Sequence, residues 1–199
     1  FLNGGFKMIE VKDKKEVAQI KYLNELTKSK DKNLMREAVK NVLVMHEEGQ
    51  KIIFTSDGRQ ARYMVVNYNL PDGLYKIIED KNSCVITPVQ LEQEYPKVNF
   101  LVNWDKNTSY QKIGDYRQID RDFVASEVVV DSLKVFPECK FTINADYIYS
   151  IFKRNEKDFR LIHGGHFLPA YFNGYTHSPI VFVGNEVTSI MMVGLYRKD

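Results

Sequence analysis

Apolar positions mark the first clear element. Val17, Ile20, Leu23 and Leu26 recur at three-residue steps, which keeps them on one broad helical face. Asp13 stands where an N-cap belongs, and Ser29-Lys30-Asp31-Lys32-Asn33 ends the pattern. The period then changes to that of strands. Ala38–Met45 is rich in β-formers, Glu47-Glu48-Gly49-Gln50 supplies a turn, and Lys51–Thr55 returns as the second arm of a hairpin. Asp57-Gly58 is a strong turn signal. Ala61–Tyr68 reads as another strand, Pro71-Asp72-Gly73 turns into Leu74–Ile78, and Ser83–Val89 pairs with it.

Leu91–Arg121 has no clear period. Tyr95-Pro96 and the polar stretch Trp104–Ser109 predict a long connection, and Phe123–Val135 predicts a strand. A second helix opens at Asn144, a good N-cap, with Tyr147, Ile148, Ile151 and Phe152 as its apolar face. Phe159–Ile162, a Gly/Pro-rich bend, Pro179–Val183 and a last strand Val187–Tyr196 follow. The order helix, strands, helix, strands is a weak internal repeat and predicts an antiparallel-rich α+β fold.

Lys14, Lys21 and Lys28 lie seven residues apart, a spacing that lines them up away from the apolar arc of the first helix. Lys153, Arg154 and Lys157 gather at the end of the second, where positive charge favours the helix dipole. Each set has a solvated-face reading beside a phosphate-contact reading.

Total charge does not decide between them. The 199 residues carry 28 basic and 26 acidic side chains, a net charge of +2, so nucleic-acid binding requires a local face. At this length one substantial core forms without staples. Cys84 and Cys139 are far apart and form no Cys-x-x-Cys pair, which argues against a thiolate zinc site. No apolar run approaches a membrane span and no signal-peptide pattern precedes the fold, so the expected location is cytoplasmic. The chain begins at Phe1, and residues 1–7 read as a leader.

Three segments together resemble a domain of the bacterial DNA sliding clamp, the beta subunit of DNA polymerase III. Lys51–Arg59 is similar to the clamp's strand and Asp-Gly turn, where Thr-Asp-Gly-His-Arg-Leu is usual. Ile143–Lys153 is similar to its second helix. Pro179–Phe182 with Thr188–Leu195 resembles the closing hairpin and its Met-Pro-Met-Arg-Leu end. Here Arg59-Gln60-Ala61 replaces His-Arg-Leu, and Met192 stands without the proline. The resemblance implies an α+β, DNA-clamp-like fold, with two helices packed on one side of antiparallel sheets and an insertion in the middle. Residues 8–199 would form one clamp-like domain of two halves, about 8–90 and 121–199, around an insertion at 91–120.

The resemblance also implies a function. The expected protein is non-enzymatic, has no cofactor, and would hold duplex DNA, independent of sequence, through Lys14, Lys21, Lys28, Lys153, Arg154 and Lys157. Self-association into a ring and binding of peptide motifs from DNA-processing proteins are the implied partnerships. Arg59, Met191, Met192 and Leu195 correspond to the partner-binding motifs. Methionine suits an adaptable groove, although adjacent strand residues point to opposite faces and core packing is the competing reading. A protein-interaction module without ring or DNA binding is one alternative.

Other constellations point elsewhere. His163 and His166, with His177 or Asp158, could hold a metal in a hydrolase, although the intervening glycines favour a turn. Asp115, Asp120 and Asp122 could bind a divalent cation, yet they alternate with Arg117 and Arg121 as a salt-laced surface would. Phe167, Tyr171, Phe172 and Tyr175 could stack on single-stranded bases or plug a core.

Overall fold

The structure, a computed structural model, describes residues 8–28, 37–117 and 121–195, with the side chains of 121, 122, 194 and 195 left aside. Residues 1–7, the helix-ending segment 29–33 and Asp120 lie outside the described residues. The chain divides into two compact units, Phe1–Lys97 and Val98–Asp199. The boundary falls inside the 91–120 segment, and the later part of that segment carries a strand of the second unit.

In the first unit, strand β1 (Ile9–Val11) leads into helix α1 (Lys14–Asn24). Asp13 caps α1: its carboxylate accepts from the amides of Lys15 and Glu16, both at 3.0 Å. Val17, Ile20 and Leu23 are buried as their spacing predicts. A 3₁₀ turn, Glu25–Lys28, extends the helix and buries Leu26. Strands β2 (Val42–Glu47), β3 (Gln50–Ser56), β4 (Gln60–Val66), β5 (Gly73–Glu79) and β6 (Cys84–Val89) follow. They pair antiparallel in the order β1-β6-β5-β2-β3-β4.

The register explains the turns. Glu47 faces Gln50 across the β2–β3 ladder, leaving a two-residue loop. Both loop residues, Glu48 and Gly49, have positive φ, 51° and 79°, the mirror-image turn that matches strand twist. At the next corner the Asp57 carboxylate accepts from the amides of Arg59 (2.9 Å) and Gln60 (2.6 Å), with Gly58 at φ 85°. Consecutive burial of Ile52, Ile53, Phe54 and Thr55 shows that both faces of β3 are covered. The Thr55 hydroxyl donates to the Leu23 carbonyl at 2.9 Å, tying the end of α1 to that strand.

In the second unit, the short helix α2 (Asn99–Val102) precedes strand β7 (Gln111–Arg117). Arg121–Val135 is then a helix, α3, and not the strand its valines suggest. Val124, Val128 and Ser132 are buried at four-residue steps, while Val130 and Leu133 are exposed. That is helical periodicity, and burial along one face outweighs the intrinsic β preference of valine. Strand β8 (Phe141–Thr142), helix α4 (Ala145–Phe152) and helix α5 (Glu156–His163) follow.

The bend after the histidines contains a further strand, β9 (Phe167–Phe172), which the aromatic crowding conceals. Strands β10 (Pro179–Val183) and β11 (Val187–Met192) form the closing hairpin. The order is β11-β10-β9-β7, all antiparallel. The last predicted strand is two: Gly194–Leu195 (β12) leaves that sheet and pairs with β8. Val128, Ile148, Phe152, Phe159, Phe172, Phe182 and Met191 meet in one core. No helix among the described residues is long and apolar enough to cross a membrane.

Candidate nucleic-acid interface

The lysine stripe of the first unit is only partly regular. Lys14 and Lys21 sit on α1, but Lys28 belongs to the tighter 3₁₀ turn, so the seven-residue alignment does not extend to it. Lys14 is exposed in the first turn. The Lys21 ammonium donates to the carbonyls of Asp80 and Lys81 (3.1 Å to the latter), at the β5–β6 turn. Lys28 lies 2.6 Å from a Glu79 carboxylate oxygen, which also accepts from the Asn24 side-chain amide at 2.6 Å. Lys21 therefore anchors a turn. Lys28 is 56 % exposed, and an exposed pair of that kind is weak enough for a phosphate to compete.

The second unit places its cations differently. Asn144 caps α4 by accepting from the Asp146 amide at 2.9 Å. The helix ends at Phe152, and only Lys153, Arg154 and Asn155 separate it from α5. Asn155 caps α5: its side-chain oxygen accepts from the Asp158 amide at 2.8 Å and its amide donates to the Asp158 carboxylate at 2.7 Å. The rings of Phe152 and Phe159 stack at 5.7 Å, and Phe152 meets Phe182 of β10 edge-on at 5.6 Å. Two apolar anchors thus hold a sharp helix–helix corner against the sheet. Lys153 and Lys157 are exposed at that corner, and half-buried Arg154 donates to the Ser150 carbonyl at 3.3 Å. Arg160, which no sequence pattern singles out, adds an exposed guanidinium one turn beyond Lys157.

No protein-family model matches the chain, and no curated protein matches it. Solved structures do. The DNA polymerase sliding clamp of Pseudomonas aeruginosa matches with a TM-score of 0.56 and 9% identity, over 100% of this chain and 69% of that one. The Bacillus subtilis clamp gives 0.54 and 9% over 98% and 66%. The Helicobacter pylori beta clamp, bound in that structure to a DNA ligase peptide, gives 0.51 and 11% over 98% and 68%. The fold is that of a bacterial DNA sliding clamp. The chain spans about two thirds of the length of these clamps.

On this clamp-like fold the four partner-motif positions fall in both units. Arg59 is exposed at the Asp57-Gly58 corner of the first. Met191 is fully buried in the core of the second, so its side chain packs the fold. Met192, pointing the opposite way on β11, is half-buried. The backbone of Leu195 pairs with Phe141.

The remaining constellations lie only partly within the described residues. His163 is the last residue of α5 and is 1% exposed, its ring 4.7 Å from that of Phe159. His166 is exposed, 3.4 Å from Glu156. The two histidines therefore face different surroundings. Among the described residues no group of three His, Cys, Asp or Glu side chains could hold a metal. Asp115 pairs with Lys112 at 2.7 Å. Phe172 is core, Tyr171 packs against Trp104 at 5.0 Å, and Phe167 and Tyr175 are exposed.

Proposed function

We propose that this chain is a non-enzymatic, clamp-like scaffold that holds duplex DNA through basic helices and tethers partner proteins. The observation that carries the reading is the α4–α5 corner. A capped, aromatic-anchored turn presents Lys153, Arg154, Lys157 and Arg160 together on a fold shared with DNA clamps. Cations on a rigid corner suit phosphates, whose contacts fix position without reading bases and weaken with salt. Lys14 supplies a further contact from the first unit.

Binding of a labelled duplex across a salt series tests this. The affinity is expected to fall steeply with salt, irrespective of sequence. Changing Lys14 and Lys153 to Glu together is expected to lower the salt slope by about 0.9 for each phosphate that is no longer neutralised. Duplex binding that is absent at low salt, or sequence-dependent and indifferent to salt, would overturn the reading.

The second reading, a protein-interaction module with the clamp architecture and no DNA binding, draws on half-buried Met192 and exposed Arg59. The ligase peptide held by the Helicobacter pylori clamp is its precedent on this fold. Peptide binding that survives in a chain with no affinity for duplex would favour it.

A further inference from the structure

The outward face of α3 is apolar where a solvated face would be polar. Val124, Val128 and Ser132 bury one side of the helix. The side away from them carries Phe123, Ser126, Val130 and Leu133, all exposed. At 3.6 residues per turn these four fall within about 80° of arc, opposite the buried row. Their steps of three, four and three residues are those of the seam between two paired helices.

Neither packing within the chain nor helix propensity accounts for this row. Phe123 and Val130 are 52% exposed and Leu133 is 40% exposed. Phenylalanine and valine are poorer helix formers than the lysine, glutamate or alanine that suit a water-facing position, and here their apolar surface stays in water. Single exposed apolar side chains are ordinary, but a row in seam spacing is the mark of a contact surface. Glu127 and Lys134 stand seven residues apart along one flank of the row. The Lys134 ammonium meets Asp131 of its own helix at 2.8 Å, and that carboxylate also accepts the Tyr116 hydroxyl at 3.1 Å. An exposed pair at three-residue spacing is weak, so Lys134 can take a second carboxylate.

We infer that α3 is a self-recognition surface, along which two copies of the chain pair antiparallel about a two-fold axis. The occupant is read from charge. The axis that sets Val130 of each copy against Leu133 of the other also sets Glu127 of each beside Lys134 of the other, so one ion pair is made twice. Sliding the helices by one heptad destroys this match. In one direction Glu127 meets Glu127, and in the other Lys134 meets Lys134, so charge selects the register as well as the partner. Phe123 then reaches the stretch after Val135 of the second copy, where Pro137 is exposed. Such a pair is closed and differs from the head-to-tail contact of a ring. It is independent of the DNA-holding reading. The contact is short, which places it among the weak interfaces and calls for high protein concentration.

Sedimentation of the whole chain without DNA, across a concentration series, tests this. The 23.2 kDa monomer is expected to pass to a species of twice that mass and to stop there. Val130→Asn with Leu133→Gln is expected to leave the monomer at every concentration. Glu127→Lys and Lys134→Glu, each alone, are expected to weaken pairing at least about tenfold, since each brings like charges together twice. Mixing those two variants is expected to restore the dimer, because one then supplies two cations and the other two anions. All these positions lie on the outer side of α3, and thermal melts establish that each variant is folded. A chain that stays monomeric throughout the series would overturn the inference. So would an oligomer indifferent to the changes on α3, or a mixture of the two charge variants that pairs no better than either alone.

Discussion

Arg62 is costly to place in the first unit. It is 1% exposed, yet its guanidinium lies 3.7 Å over the Tyr22 ring and donates to the Tyr22 carbonyl and, at 2.8 Å, to a Glu25 carboxylate oxygen. A buried cation survives only when its donors are satisfied, and here one side chain joins β4 to the end of α1. Arg62→Ala is expected to cost about 3 kcal/mol in urea unfolding, because it opens a cavity and leaves the Tyr22 carbonyl short of a donor. Glu25→Gln is expected to cost much less, under about 1 kcal/mol, since Glu25 is half-exposed and keeps water as a partner.

Asp72 offers a pH test at the same scale. Burial opposes its ionisation, but the His46 amide, the Lys51 ammonium (3.1 Å) and the His46 ring (2.7 Å) outweigh burial and hold its carboxyl below the usual range. A depressed folded-state value means stability present above the unfolded value and lost as pH falls through the folded one. The stability difference between the unaltered chain and Asp72→Asn should therefore shrink as pH is lowered below about 4. Asp72 is largely exposed, so the difference at neutral pH should be under about 1 kcal/mol. A difference that grows on acidification would contradict the assignment.

At the scale of elements, α3 separates what can be read from what cannot. Asp13, Asn144 and the Asp57-Gly58 corner announce themselves because a cap or tight turn needs a particular short side chain next to it. Val128-Val129-Val130 announces a strand by composition, and only the four-step burial of Val124, Val128 and Ser132 shows the helix. The difference is measurable. On a strand Val128 and Val130 would share a face and respond alike; on α3 one is buried and the other 52% exposed. Val128→Ala is expected to cost about 2 kcal/mol and Val130→Ala under about 0.5 kcal/mol, as read by chemical denaturation. The candidate site follows the same division. Lys153, Arg154 and Lys157 are visible as a charge cluster, but Arg160 is not, because the short apolar run Phe159–Ile162 does not announce α5 as a helix and leaves its Lys157–Arg160 face without a frame. Lys21 looks equivalent to Lys14, and no sequence pattern reveals that its ammonium is committed to carbonyls 59 and 60 residues away.

For the whole molecule, the clamp fold and the chain length pose a question of assembly. A closed ring of copies needs a repeated heterologous interface. If the self-association implied by the resemblance accompanies DNA holding, sedimentation under DNA-binding conditions should show a multiple of 23.2 kDa. A single 23.2 kDa species at micromolar concentration that still binds peptide would assign the chain to the interaction-module reading.

The exchange of sheets at Val193 has a mechanical side. Strand β11 carries half-buried Met192 in one sheet, and two residues later, at Gly194, the backbone joins Phe141–Thr142, which runs within two residues into the cap of α4. A partner gripping Met192 would thus have its hand on a short lever attached to the helix that ends at Phe152, next to Lys153. On the proposed reading, recruitment at one site and hold on the duplex at the other would be joined by the same few peptide bonds.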